Sequence, residues 1–157
     1  MSSAERAFDD ALGLAYRHLG RRDRTVAEVR AHLAGKEVAE PTIDAVVTEL
    51  AEQGYLDDAR YAQRFTEDRR TLDGWGTERI ARKLADVGID REIVAATLAD
   101  RDHASELEAA VEVLRTRFRV APQTDRDRDR ALAFLARRGY ELEVAYDAVR
   151  ALERHAA

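Results

Sequence analysis

Three segments spaced 51 residues apart carry the same apolar pair, and this period sets most of what the chain can fold into. Val29 and Leu33 lie in TVAEVRAHL, Ile80 and Leu84 in TERIARKL, and Ala131 and Leu135 in RALAFL. Gly88 and Gly139 share the offset, as do Ile93 and Val144, and Ala11 and Leu14 step onto Ala62 and Phe65. An i, i+4 apolar pair that returns at a fixed long period is the mark of tandem copies of one unit. Units of about 50 residues bury too little surface to be stable alone and gain by packing in series. The expected architecture is all-α: three tandem three-helix units forming an elongated helical repeat, open to curvature. The unit boundaries are placed at 1–58, 59–103 and 104–157.

Helical spacing recurs within the units. Ile43, Val46, Val47 and Leu50 follow i, i+3, i+4, i+7, Ala145, Ala148, Val149 and Leu152 repeat it, and Leu107, Val111, Leu114 and Phe118 mark another stripe. No segment alternates with period two as a strand would. Thr25 with Glu28, and Ser105 with Glu108, have the spacing of capping boxes. Pro41 suits a first helical turn, where its missing N–H costs nothing, and Gly54, Gly88 and Gly139 suit helix C-termini. Residues 120–130 (VAPQTDRDRDR) read as a loop, its alternating Asp and Arg solvated on the way into the next helix.

The chemistry of most enzyme classes is missing. Without cysteine there is no disulfide, thiolate site or cysteine nucleophile. No phosphate-binding loop or dinucleotide fingerprint occurs, and Gly74-Trp75-Gly76 reads as a turn with Trp75 as a packing anchor. His18, His32, His103 and His155 show no metal-ligand spacing. Asp57 and Asp58 are neighbours whose side chains would diverge by about 100° on a helix, so a helix cap suits them better than a shared acid–base site. No cofactor, no metal and no catalytic residue is expected. No apolar run of about 18 residues occurs and Met1–Arg6 has no apolar stretch, so the expected location is the cytoplasm.

The net charge of −5 argues against simple coating of DNA. The charge is uneven: residues 1–58 carry 7 basic and 12 acidic side chains, while the two later segments are neutral with embedded Arg clusters. All basic residues except Lys36 and Lys83 are arginine.

The junction EQGYLDDARYAQRF (52–65) gives the pattern a specific likeness. It resembles the signature of the RecX family: a helix end, Gly54-Tyr55-Leu56, the pair Asp57-Asp58, then a helix with Tyr61 and Phe65. Gly74–Leu84 with Ile80, followed by Gly88-Ile89, is similar to that family's next motif, as are Thr25–Leu33 upstream and Phe134–Tyr140 downstream. The resemblance covers roughly residues 8–152. It implies three tandem three-helix units, and a non-enzymatic regulator that binds in the groove of the RecA–ssDNA filament and limits ATPase and strand exchange in DNA repair and recombination. A monomer is the default.

Arg69, Arg70, Arg79, Arg82 and Lys83 in the second unit, with Arg137 and Arg138 in the third, are the candidate partner-binding residues, because guanidinium groups pair bidentately with carboxylates and phosphates. Arg21, Arg22 and Arg24 form a weaker candidate patch. Tyr55, Leu56, Tyr61 and Phe65 are expected to be packing residues. The competing reading is a helical, sequence-specific DNA-binding regulator using three-helix units in the major groove, with direct contact to ssDNA or dsDNA. A helical scaffold for an unrelated protein is a third.

Overall fold

The structure is a computed structural model and describes residues 1–156. Among the described residues there are nine α-helices, one π-helical turn and no strand. The helices are α1 (Ser3–Leu19), α2 (Val26–Gly35), α3 (Glu40–Glu52), α4 (Asp58–Asp68), α5 (Thr77–Asp86), α6 (Arg91–Leu98), α7 (His103–Arg117), α8 (Asp125–Arg138) and α9 (Leu142–Ala156), with the π-turn (Arg69–Asp73) directly after α4. They fall into two compact bodies, residues 1–63 with 84–93, and residues 64–83 with 94–157.

In the first body α1, α2 and α3 pack on one another around Ala11, Ala15, Val29, Leu33, Ile43, Val46, Val47, Leu50 and Leu56. In the second, α7, α8 and α9 close on a core that includes Leu114, Phe134, Leu135, Tyr140, Val144 and Val149. The apolar stripes read from the sequence face these cores. Each removes side chains from water, worth about 1.5–3 kcal/mol per fully buried large aliphatic before entropy is counted.

The 51-residue period is a repeat of backbone as well as of side chains. Leu33, Leu84 and Leu135 are all fully buried. Each stands near the end of its helix and accepts a backbone bond from the residue five places on: Val38 (3.1 Å), Ile89 (3.0 Å) and Tyr140 (3.1 Å). The residue between is left-handed in all three, with φ of 62° at Glu37, 85° at Gly88 and 96° at Gly139. Its N–H bonds to Ala34, Ala85 or Ala136 in turn. This is one Schellman motif repeated at all three positions of the 51-residue period, and it satisfies the carbonyls that a helix end leaves open. Two copies use glycine. The first uses Glu37, the one non-glycine residue with positive φ among the described residues.

Two local expectations need correction. α7 is capped by Asp102, whose Oδ1 accepts from Ser105 N (2.8 Å) and Ser105 Oγ (2.9 Å), so Ser105 lies inside the helix and forms no box with Glu108. The carboxylate three residues upstream outcompetes the hydroxyl as first acceptor. The Asp/Arg run is also not loop beyond residue 124. α8 begins at Asp125, capped by Thr124 accepting from Asp127 N (3.1 Å), with Asp125 and Asp127 in its first turn. There the acids favour the positive end of the helix dipole, and Arg128 pairs with Glu153 of α9 (2.9 Å). The Thr25–Glu28 capping box forms as expected, and Pro41 sits in the first turn of α3.

Candidate partner-binding surface

The candidate arginines surround a joint within the second body, where the N-terminus of α5 meets the C-terminus of α8. Gly76 N donates to Arg138 O (2.7 Å) and Glu78 N to Gly139 O (3.0 Å). Donors left open at one helix start thus meet acceptors left open at another helix end. The backbones approach so closely that a Cβ on Gly76 would stand 2.6 Å from the carbonyl of Gly139. The π-turn closes the joint: Asp73 O accepts from Arg138 and Gly74 O from the Tyr140 hydroxyl (2.9 Å). Burial pushes the Tyr140 phenol up to about 12, so it remains a donor at any physiological pH.

The first body holds a related joint one period upstream. Thr25 Oγ1 donates to Val87 O (2.6 Å), and Gly88 lies against Ala27 with no room for a Cβ. Asp58 Oδ1 accepts from Val26 N (2.9 Å), and burial raises that carboxyl above the usual range.

This arrangement divides the seven primary candidates. Arg69 pairs with Asp73 (2.5 Å) and lies near the rings of Phe65 and Trp75. Arg70 makes a two-pronged pair with Asp100 (2.9 and 3.3 Å), which holds the Asp100 carboxyl below its ordinary value. Arg79 lies 4.0 Å over the Trp75 ring and donates to Arg137 O (3.0 Å). Arg138 bonds Asp73 O and covers the Phe134 ring at 4.8 Å. All four are half-buried, and their guanidinium groups are already engaged, those of Arg69, Arg79 and Arg138 at the joint and that of Arg70 with Asp100. Arg82, Lys83 and Arg137 are exposed, and no ion pair or side-chain hydrogen bond is formed by them among the described residues. In the weaker patch, Arg22 pairs with Glu28 (2.7 Å), Arg24 donates to His18 O (3.3 Å) and Arg21 is exposed.

The signature residues have several roles. Gly54 has φ of 81° after α3. Leu56, Ile80 and Leu84 are buried. Asp57 caps α4 by accepting from Arg60 N (3.0 Å). Tyr61 is half-buried beside Glu28 and Arg22. Two expected packing residues are not core. Tyr55 is 58% exposed and lies edge-on to Tyr16, and Phe65 is half-buried, edge-on to Trp75 at 6.0 Å. Aromatic side chains beside a helix end can stack on one another without entering the core, and neither spacing nor residue type distinguishes the two.

Three features escape sequence reasoning. The π-turn has no residue signature. Glu106 is buried, where it accepts from Thr77 and pairs with Arg101 (3.0 Å). His18 and His32, fourteen residues apart, stack face to face with ring centroids 3.9 Å apart. Among the described residues no group of three or more His, Asp or Glu side chains could hold a metal ion, and no helix is long and apolar enough to cross a membrane.

Family models match the chain in three consecutive pieces: the RecX first three-helix domain over residues 11–50, the second over 57–98 and the third over 104–149. The chain belongs to the RecX family. Relatives named Regulatory protein RecX include that of Mycobacterium avium, 32% identical over 144 residues, and that of Mycobacterium ulcerans, 34% identical over 144. Each alignment covers 90% of this chain and 83% of the relative. A crystal structure of RecX from Lactobacillus salivarius shares the fold with a TM-score of 0.81 over 96% of this chain and 99% of that one, at 19% identity. A second RecX crystal structure gives 0.76, covering 95% of this chain and 74% of the other. The all-α fold of three tandem three-helix domains is therefore that of the family, and the relatives are named for regulation rather than for a reaction.

Proposed function

We propose that this chain regulates the RecA recombinase by binding in the groove of the RecA–ssDNA filament and limiting its ATPase and strand exchange. Membership of the RecX family carries the reading. The physical support is the repeat. A filament presents the same surface again and again, and tandem modules that touch successive subunits weakly gain avidity for the polymer over the free monomer. The units 1–58, 59–103 and 104–157 are the proposed contact modules, acting as a monomer in the cytoplasm where the filament forms.

The proposed contact residues are Arg82, Lys83 and Arg137, because they alone of the seven candidates keep their charge exposed and uncommitted. Arg69, Arg79 and Arg138 act through them by fixing the joint on which they stand, and Arg70 is paired with Asp100. Co-sedimentation with RecA–ssDNA filaments tests this. Wild-type protein pellets with filaments, and R82Q/K83Q/R137Q stays largely in the supernatant while melting like wild type. Full pelleting of the variant would remove these residues from the interface.

A further inference from the structure

The first body carries a basic cleft that the proposed function does not use. It lies where the C-terminal ends of α1 and α2 come together, has a volume of about 240 Å³, and is lined by Leu14, Arg17, His18, Arg21, His32 and Lys36. Five of these six side chains are cationic or can become so, and none is acidic, although residues 1–58 are acidic as a whole.

Cations near helix C-termini often serve only to offset the helix dipole. Here most of the carbonyls at the two ends already have donors. Tyr16 O accepts from Gly20 N and His18 O from Arg24 Nε; His32 O and Leu33 O accept from Lys36 N, and Ala34 O from Glu37 N. Arg17, Arg21 and Lys36 are exposed, and none has an ion-pair partner among the described residues. The stacked His18 and His32 also line the cleft, their ring planes inclined to one another by only 6°. A parallel stack does not aim two nitrogens at one metal ion. It does offer adjacent donors to a group with several oxygens.

We propose that this cleft binds a phosphate-type oxyanion, either free or as part of a nucleic-acid backbone, with Arg17, Arg21 and Lys36 supplying fixed charge and the His18–His32 pair supplying donors whose charge grows as the pH falls. Three uncommitted cations on one concavity suit a group with delocalised charge and three or more acceptor oxygens better than one carboxylate. Both imidazoles titrate below their ordinary 6.5, first because burial strips them of water and then because of neighbouring cations. Arg24, His32 and Arg22 act on His18, partly offset by Glu28, and Lys36, Arg24 and Arg21 act on His32. An oxyanion seated against the pair reverses that repulsion, so proton uptake and oxyanion binding favour each other.

The test uses the full chain and two probes whose own charge is constant between pH 6 and 8: sulfate, and an unphosphorylated oligothymidylate. Affinity is measured by isothermal titration calorimetry for every variant, and the imidazole NMR resonances of His18 and His32 locate the binding in the wild-type chain. At least one probe is expected to move both resonances and to bind roughly fivefold or more tighter at pH 6 than at pH 8. Sulfate acting alone assigns a free oxyanion; the oligonucleotide acting as well assigns a backbone phosphate. R17Q/R21Q/K36Q, changed only at exposed positions, is expected to lose binding at both pH values. H18Q/H32Q is expected to bind no more tightly at pH 6 than at pH 8. Unmoved resonances with both probes, pH-independent binding, or undiminished binding by a triple variant that melts like wild type would each overturn the proposal. No recombinase is present, so the result is independent of the filament reading.

Discussion

Glu37 occupies a backbone position that its two counterparts, Gly88 and Gly139, fill without a side chain. A left-handed conformation costs an L-residue about 1–2 kcal/mol, and the added freedom of glycine in the unfolded chain returns part of that. Glu37 is exposed, so E37G is expected to stabilise the chain by about 0.5–1 kcal/mol in denaturant unfolding; a loss of that size would show that Glu37 has a compensating role. Gly76 is the opposite case. G76A places a methyl group 2.6 Å from the Gly139 backbone, which has no flexible atom to move aside. Its expected cost is on the order of 1–3 kcal/mol, and an unchanged denaturation midpoint would mean that the α5–α8 joint is looser than described. Gly88, Gly139 and the buried Leu33, Leu84 and Leu135 were legible in the sequence because a 51-residue period repeats them, whereas Gly76 read only as part of a turn. The arginines were legible only as a group. A guanidinium on a helix reads the same whether it meets solvent, as Arg82 does, or a tryptophan face, as Arg79 does.

At the scale of elements, helix ends decide more than helix middles. The apolar stripes predict which face is buried, whereas α7 begins where Asp102 caps it, three residues before the serine with capping-box spacing, and α8 begins where Thr124 caps it, inside the run that reads as loop. The junction of α1 and α2 adds a pH response. The folded-state pKa values of His18 and His32 are lowered, so the unfolded chain takes up these protons first. Their contribution to stability is complete above the ordinary value of 6.5 and is lost as the pH falls through it toward the lower folded values. Between pH 7.5 and 5.5 the wild-type melting temperature is therefore expected to fall further than that of H18Q/H32Q. Equal falls would show that the pair contributes no linkage. Nothing in the spacing of His18 and His32 announces this contact, because it depends on how two helices cross.

Over the whole molecule, three family domains are built on one local plan, and each body contains a joint in which a helix start meets a helix end one repeat further along the chain. We propose that this chain restrains a recombinase filament through Arg82, Lys83 and Arg137. Neutralising all seven candidates would mix binding with folding, since Arg69, Arg79 and Arg138 hold the joint and Arg70 is paired with Asp100. The most direct measurement is the ssDNA-dependent ATPase of RecA, with wild-type protein and with R82Q/K83Q/R137Q added from substoichiometric amounts to excess. Wild-type protein is expected to inhibit in a dose-dependent way, with the variant requiring roughly tenfold more protein, equivalent to about 1.4 kcal/mol of lost binding. ATPase untouched by excess wild-type protein would contradict the proposal.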